Sequence, residues 1–128
     1  RAKQTIEFAG AKLGLFQVDA KGEVKRHQGA RCSLGYQDAI EDKDKPVVQT
    51  IHFQLGDTFA IVTDGLTDQI GGNSSIKTSF GYRRIENILK TNCTSDADYI
   101  AYMLKNDFLA WQGSETRRDD LTAVVFRL

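Results

Sequence analysis

Two acidic stretches carry the residues whose chemistry stands out. In "AIVTDGLTDQI", Asp64 and Gly65 follow Ala60-Ile61-Val62-Thr63, which reads as the end of a buried strand. In "RRDDLTAVVF", Asp119 and Asp120 precede the apolar run Ala123–Phe126, which reads as another strand. In an antiparallel sheet the end of one strand lies beside the start of its neighbour. Asp64 and Asp119 can therefore converge although they are far apart in sequence. Two carboxylates about 4 Å apart repel by roughly 4 kcal/mol at an effective dielectric near 20. A cation or a shared proton offsets such repulsion. Carboxylate-rich, all-oxygen sites suit the hard ions Mg²⁺, Mn²⁺ and Ca²⁺.

Each stretch also has a plainer reading. Asp64-Gly65 is a common turn dipeptide. The segment after it, "LTDQIGGNSS", does not return as an alternating strand, which weakens the hairpin version. Asp119-Asp120 also reads as a solvated loop pair, with Arg117 and Arg118 as surface partners worth little in energy. Asp68 reads as a surface residue, and His27 and His52 as lone structural histidines on strands. Spacing alone leaves these alternatives open.

The elements that would position the acids come in two blocks. "QTIEFAG" alternates Ile6 and Phe8 against polar neighbours, as a half-buried strand does. "LGLFQVD" carries Leu13, Leu15 and Val18, turns through Ala20–Glu23 with Gly22 available for positive φ, and returns in "EVKRHQ". Leu13–Gln28 is thus expected to form a hairpin. Residues 29–45 form a polar connection. Pro46 is expected to open the next strand, where a missing N–H does least harm. In "VVQTIHFQL" one face carries Val47, Gln49, Ile51, Phe53 and Leu55. "TFAIVTD" is more continuously apolar, hence a more buried strand. The pattern then becomes helical. Ile85, Ile88 and Leu89 share one face of a short amphipathic helix. Ser95 and Asp98 form a capping box before a second helix. Its stripe of Ile100, Met103, Leu104, Phe108 and Trp111 is expected in the core and ends at Gly113. "LTAVVFRL" closes the chain as a strand. Strands, then two helices, then a strand imply an α+β layered domain with a mainly antiparallel sheet.

Composition narrows the function. The 128 residues are enough for one domain with a real core. Lys plus Arg and Asp plus Glu each number 17, so the formal net charge is zero and a nucleic-acid binder is disfavoured. Apolar runs such as Phe59–Val62 and Ala123–Phe126 are four residues long, far too short to cross a bilayer. No signal peptide is visible, and Cys32 and Cys93 form no metal-spaced pair. Buried free thiols and a cytoplasmic setting are expected, with no membrane contact by this segment.

The ordered series "LGDTFAIVTDGLTD", "FGYRRI", "WQG" and "RRDDLTAVVF" resembles the C-terminal half of a SpoIIE-like phosphatase domain. That is the bacterial branch of the metal-dependent, protein phosphatase 2C-like (PPM) serine/threonine phosphatases. "IEFAGAKLGLFQVDAKGEVKRHQGARCSLGY" is similar to the strand pair that precedes these motifs. "TDG" alone is weak; the ordered series, covering nearly the whole chain, is specific. The resemblance implies part of an αββα sandwich. It implies Asp64 and Asp119 as ligands of a two-metal Mn²⁺ or Mg²⁺ centre, with Gly65 and Asp120 in support. It implies a metal-activated water that attacks the phosphorus of a phosphoserine or phosphothreonine. A phosphoprotein would be the substrate, an anti-sigma-factor antagonist being the type implied. The family domain also carries an N-terminal Asp-Gly segment and a "GHG"-type segment, and no Gly-His-Gly occurs here. Residues 1–128 are therefore expected to be a partial domain, inactive alone and inclined to self-associate through uncovered sheet surface near Ile6, Phe8, Leu15, Phe59 and Phe126. The alternative expectation is a non-catalytic regulatory or partner-binding module on a degenerate phosphatase fold.

Overall fold

The structure is a computed structural model and describes residues 4–31 and 45–128. Its eleven elements run β1 (Thr5–Phe8), β2 (Leu15–Val18), β3 (Val24–His27), β4 (Gln49–His52), β5 (Thr58–Val62), α1 (Asp64–Thr67), β6 (Ile70–Gly71), β7 (Thr78–Ser79), α2 (Gly81–Thr91), α3 (Ala97–Gln112) and β8 (Ala123–Arg127). The centre is a four-stranded antiparallel sheet in the order β3-β2-β5-β8. Leu15 pairs with both His27 and Ile61, and Val62 pairs with Ala123. Strands β1 and β4 form a separate antiparallel pair. The α+β, mainly antiparallel layering expected from the pattern is what the chain adopts.

Period-2 alternation divides the central sheet's side chains between two cores. Phe16, Val18, Ala60 and Val62 face the helices, where they pack with Ile85, Leu89, Ile100 and Phe108. Leu15 and Phe59 face the other way and pack with Phe8 and Ile51 from the β1–β4 pair. Phe59 stacks on Phe126 with ring centroids 5.3 Å apart. The layers are thus two-stranded sheet, four-stranded sheet, helices. A polar link ties the two sheets. Gln17 in β2 donates from Nε2 to the His52 carbonyl (3.0 Å) and to Asp57 Oδ2 (2.8 Å). His27 Nε2 lies 2.9 Å from Gln17 Oε1, and with the Gln17 amide donating elsewhere that nitrogen carries the proton. On the helix face Arg127 donates to Thr58 Oγ1 (3.0 Å), to the Cys93 carbonyl (3.1 Å) and to the Ser95 carbonyl, clamping the α2–α3 connection onto the sheet.

Several expectations need correction. Strand β2 is buried at all four positions because both faces are covered, so Phe16 belongs to the core as firmly as Leu15 and Val18. Strand β4 is shorter than its apolar face suggested. Val47 and Leu55 are 70% and 76% exposed, and Pro46 precedes the strand instead of opening it. The α3 N-cap is Asp96, without a side-chain cap bond, and no Ser95–Asp98 box forms. Gly113 does end that helix, at φ 53°. The short ribbon β6–β7 left no readable period. It is held by Trp111, whose carbonyl accepts from the Gly72 N–H (2.8 Å) and whose Nε1 donates to the Thr78 carbonyl (3.2 Å). Trp111 is accordingly half-buried, packed on the margin of the core. Of the residues expected near uncovered surface, Phe8, Leu15 and Phe59 are buried between the β1–β4 pair and the central sheet, and Ile6 and Phe126 are partly buried against them. Cys93 is a half-buried free thiol; Cys32 and most of the connection over 29–45 lie outside the described residues.

Candidate metal-binding site at the β5–β8 end

Strands β5 and β8 carry the two acidic stretches to the same end of the sheet. Beyond the Val62–Ala123 pair the ladder continues through Thr63, whose N–H donates to the Thr122 carbonyl at 2.9 Å. The Thr63 hydroxyl accepts from the Thr122 N–H (3.0 Å) and lies 3.3 Å from the Thr122 carbonyl. One side chain thus locks the exit of β5 to the entry of β8.

Thr63 is still extended (φ −81°, ψ 161°), and the backbone turns helical at Asp64. The strand's mouth is therefore a single helical turn, α1, and not a hairpin. The Asp64 carbonyl accepts from the Asp68 N–H at 2.8 Å and from the Thr67 hydroxyl at 3.3 Å. Leu66, 1% exposed, anchors the turn in the helix-side core. Asp64 itself is exposed. Gly65 is buried for a different reason than a tight turn. A Cβ built on it would lie 2.1 Å from the Asp120 carbonyl oxygen, so only hydrogen fits between the two segments. That contact is the most direct evidence that the "TDG" and "RDD" stretches adjoin.

The approach of Asp119 is governed by a residue the sequence did not flag. Gln69 is fully buried. Its Nε2 donates to the Ile70 and Thr116 carbonyls, both at 3.0 Å, and its Oε1 accepts from the Arg118 N–H at 3.2 Å. The loop leading to Asp119 is therefore held from inside the core. Gln69 sits in the polar run "LTDQIGG", where nothing marks one amide as buried. Asp119 Oδ1 accepts from the N–H of the next residue, Asp120, at 2.7 Å, which orients its carboxylate. Asp119 and Asp120 are exposed, as are Arg117 and Arg118. Arg117 does not serve the acids: its Nε donates to Gln112 Oε1 (3.1 Å) and its guanidinium covers Phe108 at 5.1 Å. Exposure lowers the repulsion among the carboxylates, to about 1 kcal/mol at 4 Å in bulk water.

The donor chemistry of Asp64, Asp119 and Asp120 suits a hard divalent cation. Among the described residues, however, no group of three or more His, Cys, Asp or Glu side chains is placed to hold a metal ion. The site fits part of a coordination shell. His27 and His52 take no part: His27 belongs to the inter-sheet link, and His52 is exposed on β4.

The remaining family-like segments meet one layer away. Arg84 of "FGYRRI" stacks on Trp111 of "WQG", 3.6 Å from guanidinium carbon to ring centroid, and donates to the Phe80 carbonyl at 2.8 Å. These pieces are structural supports of the same end of the fold.

The family profile described as Stage II sporulation protein E (SpoIIE) matches residues 2–128, and the chain belongs to that family. The SiaA-PP2C domain of Pseudomonas aeruginosa is 29% identical with a TM-score of 0.82, covering 100% of this chain and 48% of that one. The phosphatase domain of the cell fate determinant SpoIIE from Bacillus subtilis, in a crystal form without domain swapping, is 20% identical with a TM-score of 0.64, over 96% of this chain and 49% of that one. A structure of the same SpoIIE PP2C domain with a fragment of its regulatory domain is 19% identical with a TM-score of 0.72, covering 97% and 34%. No curated protein matches the chain. The chain spans about half the length of the first two solved structures, and it adopts the α+β fold of the matching part of those PP2C-type domains.

Proposed function

We propose that this chain is the C-terminal part of a metal-dependent protein serine/threonine phosphatase domain that acts in bacterial signalling. The observation that carries the reading is the adjacency of Gly65 to the Asp120 carbonyl, which brings the Asp64 and Asp119 segments to one sheet end in a chain of SpoIIE membership. PP2C-type phosphatases are metal-dependent serine/threonine phosphatases. In this reading Asp64 and Asp119 hold Mn²⁺ or Mg²⁺, and Asp120 supports them. When bound, the metal supplies a water of lowered pKa for attack on a phosphoserine or phosphothreonine phosphorus. The chain's own part is positional. Thr63 and Gln69 fix the two segments, Gly65 permits their contact, and the exposed acids stay open to a protein substrate. An anti-sigma-factor antagonist is the substrate type that the family resemblance favours.

A second reading has its own support. Among the described residues no group of three or more His, Cys, Asp or Glu side chains is placed to hold a metal ion. That favours a partner-binding module with the catalytic apparatus incomplete. The two are separated by assaying a full-length domain containing this chain on a phosphoserine peptide with Mn²⁺. Asp64→Asn and Asp119→Asn should each abolish turnover while leaving the melting temperature within a few degrees. Turnover that survives either change removes that residue from the mechanism; no turnover in the unsubstituted domain supports the module.

A further inference from the structure

A second concavity opens at the same end of the central sheet, beside β2 and β3. It encloses about 380 Å³ and is lined by Lys12, Arg26, Gln28, Arg31 and Tyr82 with backbone from Gly14 and Gly29. Three cations line it and no described acidic residue does, although the chain as a whole is neutral. Lys12 and Arg31 have no side-chain hydrogen bond or ion pair among the described residues. The Arg26 guanidinium lies 4.2 Å from the Tyr82 ring centroid, a stacking contact that fixes its plane and leaves its N–H edges available.

The wall is built to hold its shape. Lys12 is the one described non-glycine residue with positive φ, at 55°. Its N–H donates to the Ala30 carbonyl and the Ala30 N–H to the Gly10 carbonyl, both at 2.7 Å. Gly29 packs so closely that an added Cβ would lie 2.2 Å from the Leu13 carbonyl oxygen. A lysine held in a conformation that costs backbone strain, beside two further unopposed arginines, is a place where charge is presented and not merely solvated.

We infer that this basic pocket receives an acidic segment of the protein substrate, flanking the phosphorylated residue. The identity of the partner as a substrate rests on the proposed phosphatase reading; the site itself does not. Register gives the spacing. The pocket lies at the open ends of β2 and β3, and Asp64 and Asp119 at the matching ends of β5 and β8. Strands sit about 4.8 Å apart, so two to three intervals separate the sites by about 10–14 Å. An extended peptide covers that in about three or four residues at roughly 3.3 Å each. The preferred substrate carries Asp or Glu at that distance from the phosphorylated serine or threonine.

The test is fluorescence anisotropy of a labelled peptide with a run of Asp residues, titrated with the 128-residue chain at low salt in EDTA. EDTA keeps the metal out, so the result is independent of whether the chain's domain hydrolyses anything. Lys12→Gly removes a charge at a φ that glycine accepts, and Arg31→Gln changes an exposed residue, so the double variant should fold and melt no lower than the parent. Binding of the Asp peptide should weaken about tenfold in the double variant, and the same peptide with Asn for Asp should not bind. Equal binding by the variant, equal binding of the Asn peptide, or no binding by the parent chain overturns the inference. Tighter binding of a single-stranded oligonucleotide, lost in the same variant, overturns it in favour of a nucleic-acid partner.

Discussion

The proposed function gives Asp64 and Asp119 the chemical role, and their neighbours decide whether the two segments can meet. At Gly65 an added Cβ would lie 2.1 Å from the Asp120 carbonyl oxygen, so the lack of a side chain there lets the two segments adjoin. Gly65→Ala should force the β5 and β8 ends apart, costing about 1–3 kcal/mol by urea denaturation and shifting the amide resonances of Asp119–Leu121. An unshifted spectrum would mean that the contact relaxes without moving the acids. Gln69 makes a sharper case. Gln69→Leu keeps the volume and strands the Thr116 carbonyl and the Arg118 N–H. The expected loss is about 2–4 kcal/mol, with faster hydrogen exchange across 116–119. Normal exchange there would show that the loop is held by something else. The meeting of the two acidic stretches at one sheet end was legible in the sequence, through apolar runs ending in carboxylates and through the ordered family-like motifs. Gln69 was not, because burial of a lone amide depends on a loop nearly fifty residues downstream.

At the scale of elements, the long periodic segments spoke for themselves. The Ile85–Ile88–Leu89 stripe and the Ile100–Phe108 stripe became α2 and α3, and the Leu13–Gln28 hairpin formed with Gly22 at φ 86°. The misses were local. Strand β4 ends at His52, with one more ladder bond from the Phe53 N–H to the Gln4 carbonyl (3.0 Å); the chain then turns, the Asp57 N–H donating to the Gln54 carbonyl (3.0 Å), so Leu55 falls in a turn and not on a strand face. The one-turn helix α1 and the ribbon β6–β7 are too short to show a period at all. Phe59, buried between two sheets, is the test of the layering. Phe59→Ala should cost about 3–5 kcal/mol, since it opens a cavity against Phe53 and Phe126. The inter-sheet link adds a pH dependence. Burial, and next the charge of Lys25, hold His27 below its ordinary value of 6.5. The unfolded chain therefore takes up the proton first, and stability falls as the pH drops below about 6.5 and is restored above it. His27→Gln should flatten that part of the melting profile between about pH 5 and 7; an unchanged slope would assign it elsewhere.

As a whole molecule the chain closes two cores yet carries unmatched surface. The outer edge of β8 has no partner strand among the described residues, and Val124 on it is 50% exposed. Unpaired edges recruit other strands. We expect concentration-dependent association by light scattering, relieved by Val124→Lys; a monomer at all concentrations would show that the edge is protected in solution. Whatever its oligomeric state, the proposed site offers at most two grouped carboxylates to a cation, and water must fill the remaining positions of an octahedral shell. Calorimetry with Mn²⁺ should therefore find weak binding only, and a sub-micromolar site would contradict the assignment.

The central claim is that the β5–β8 end is half of a metal site. The most direct measurement is paramagnetic line broadening of the chain's amide resonances by Mn²⁺. The amides of Asp64–Leu66 and Asp119–Leu121 should broaden first, and Asp64→Asn combined with Asp119→Asn should remove the effect while leaving the spectrum folded. Broadening that begins elsewhere, or that persists unchanged in the double variant, would contradict it.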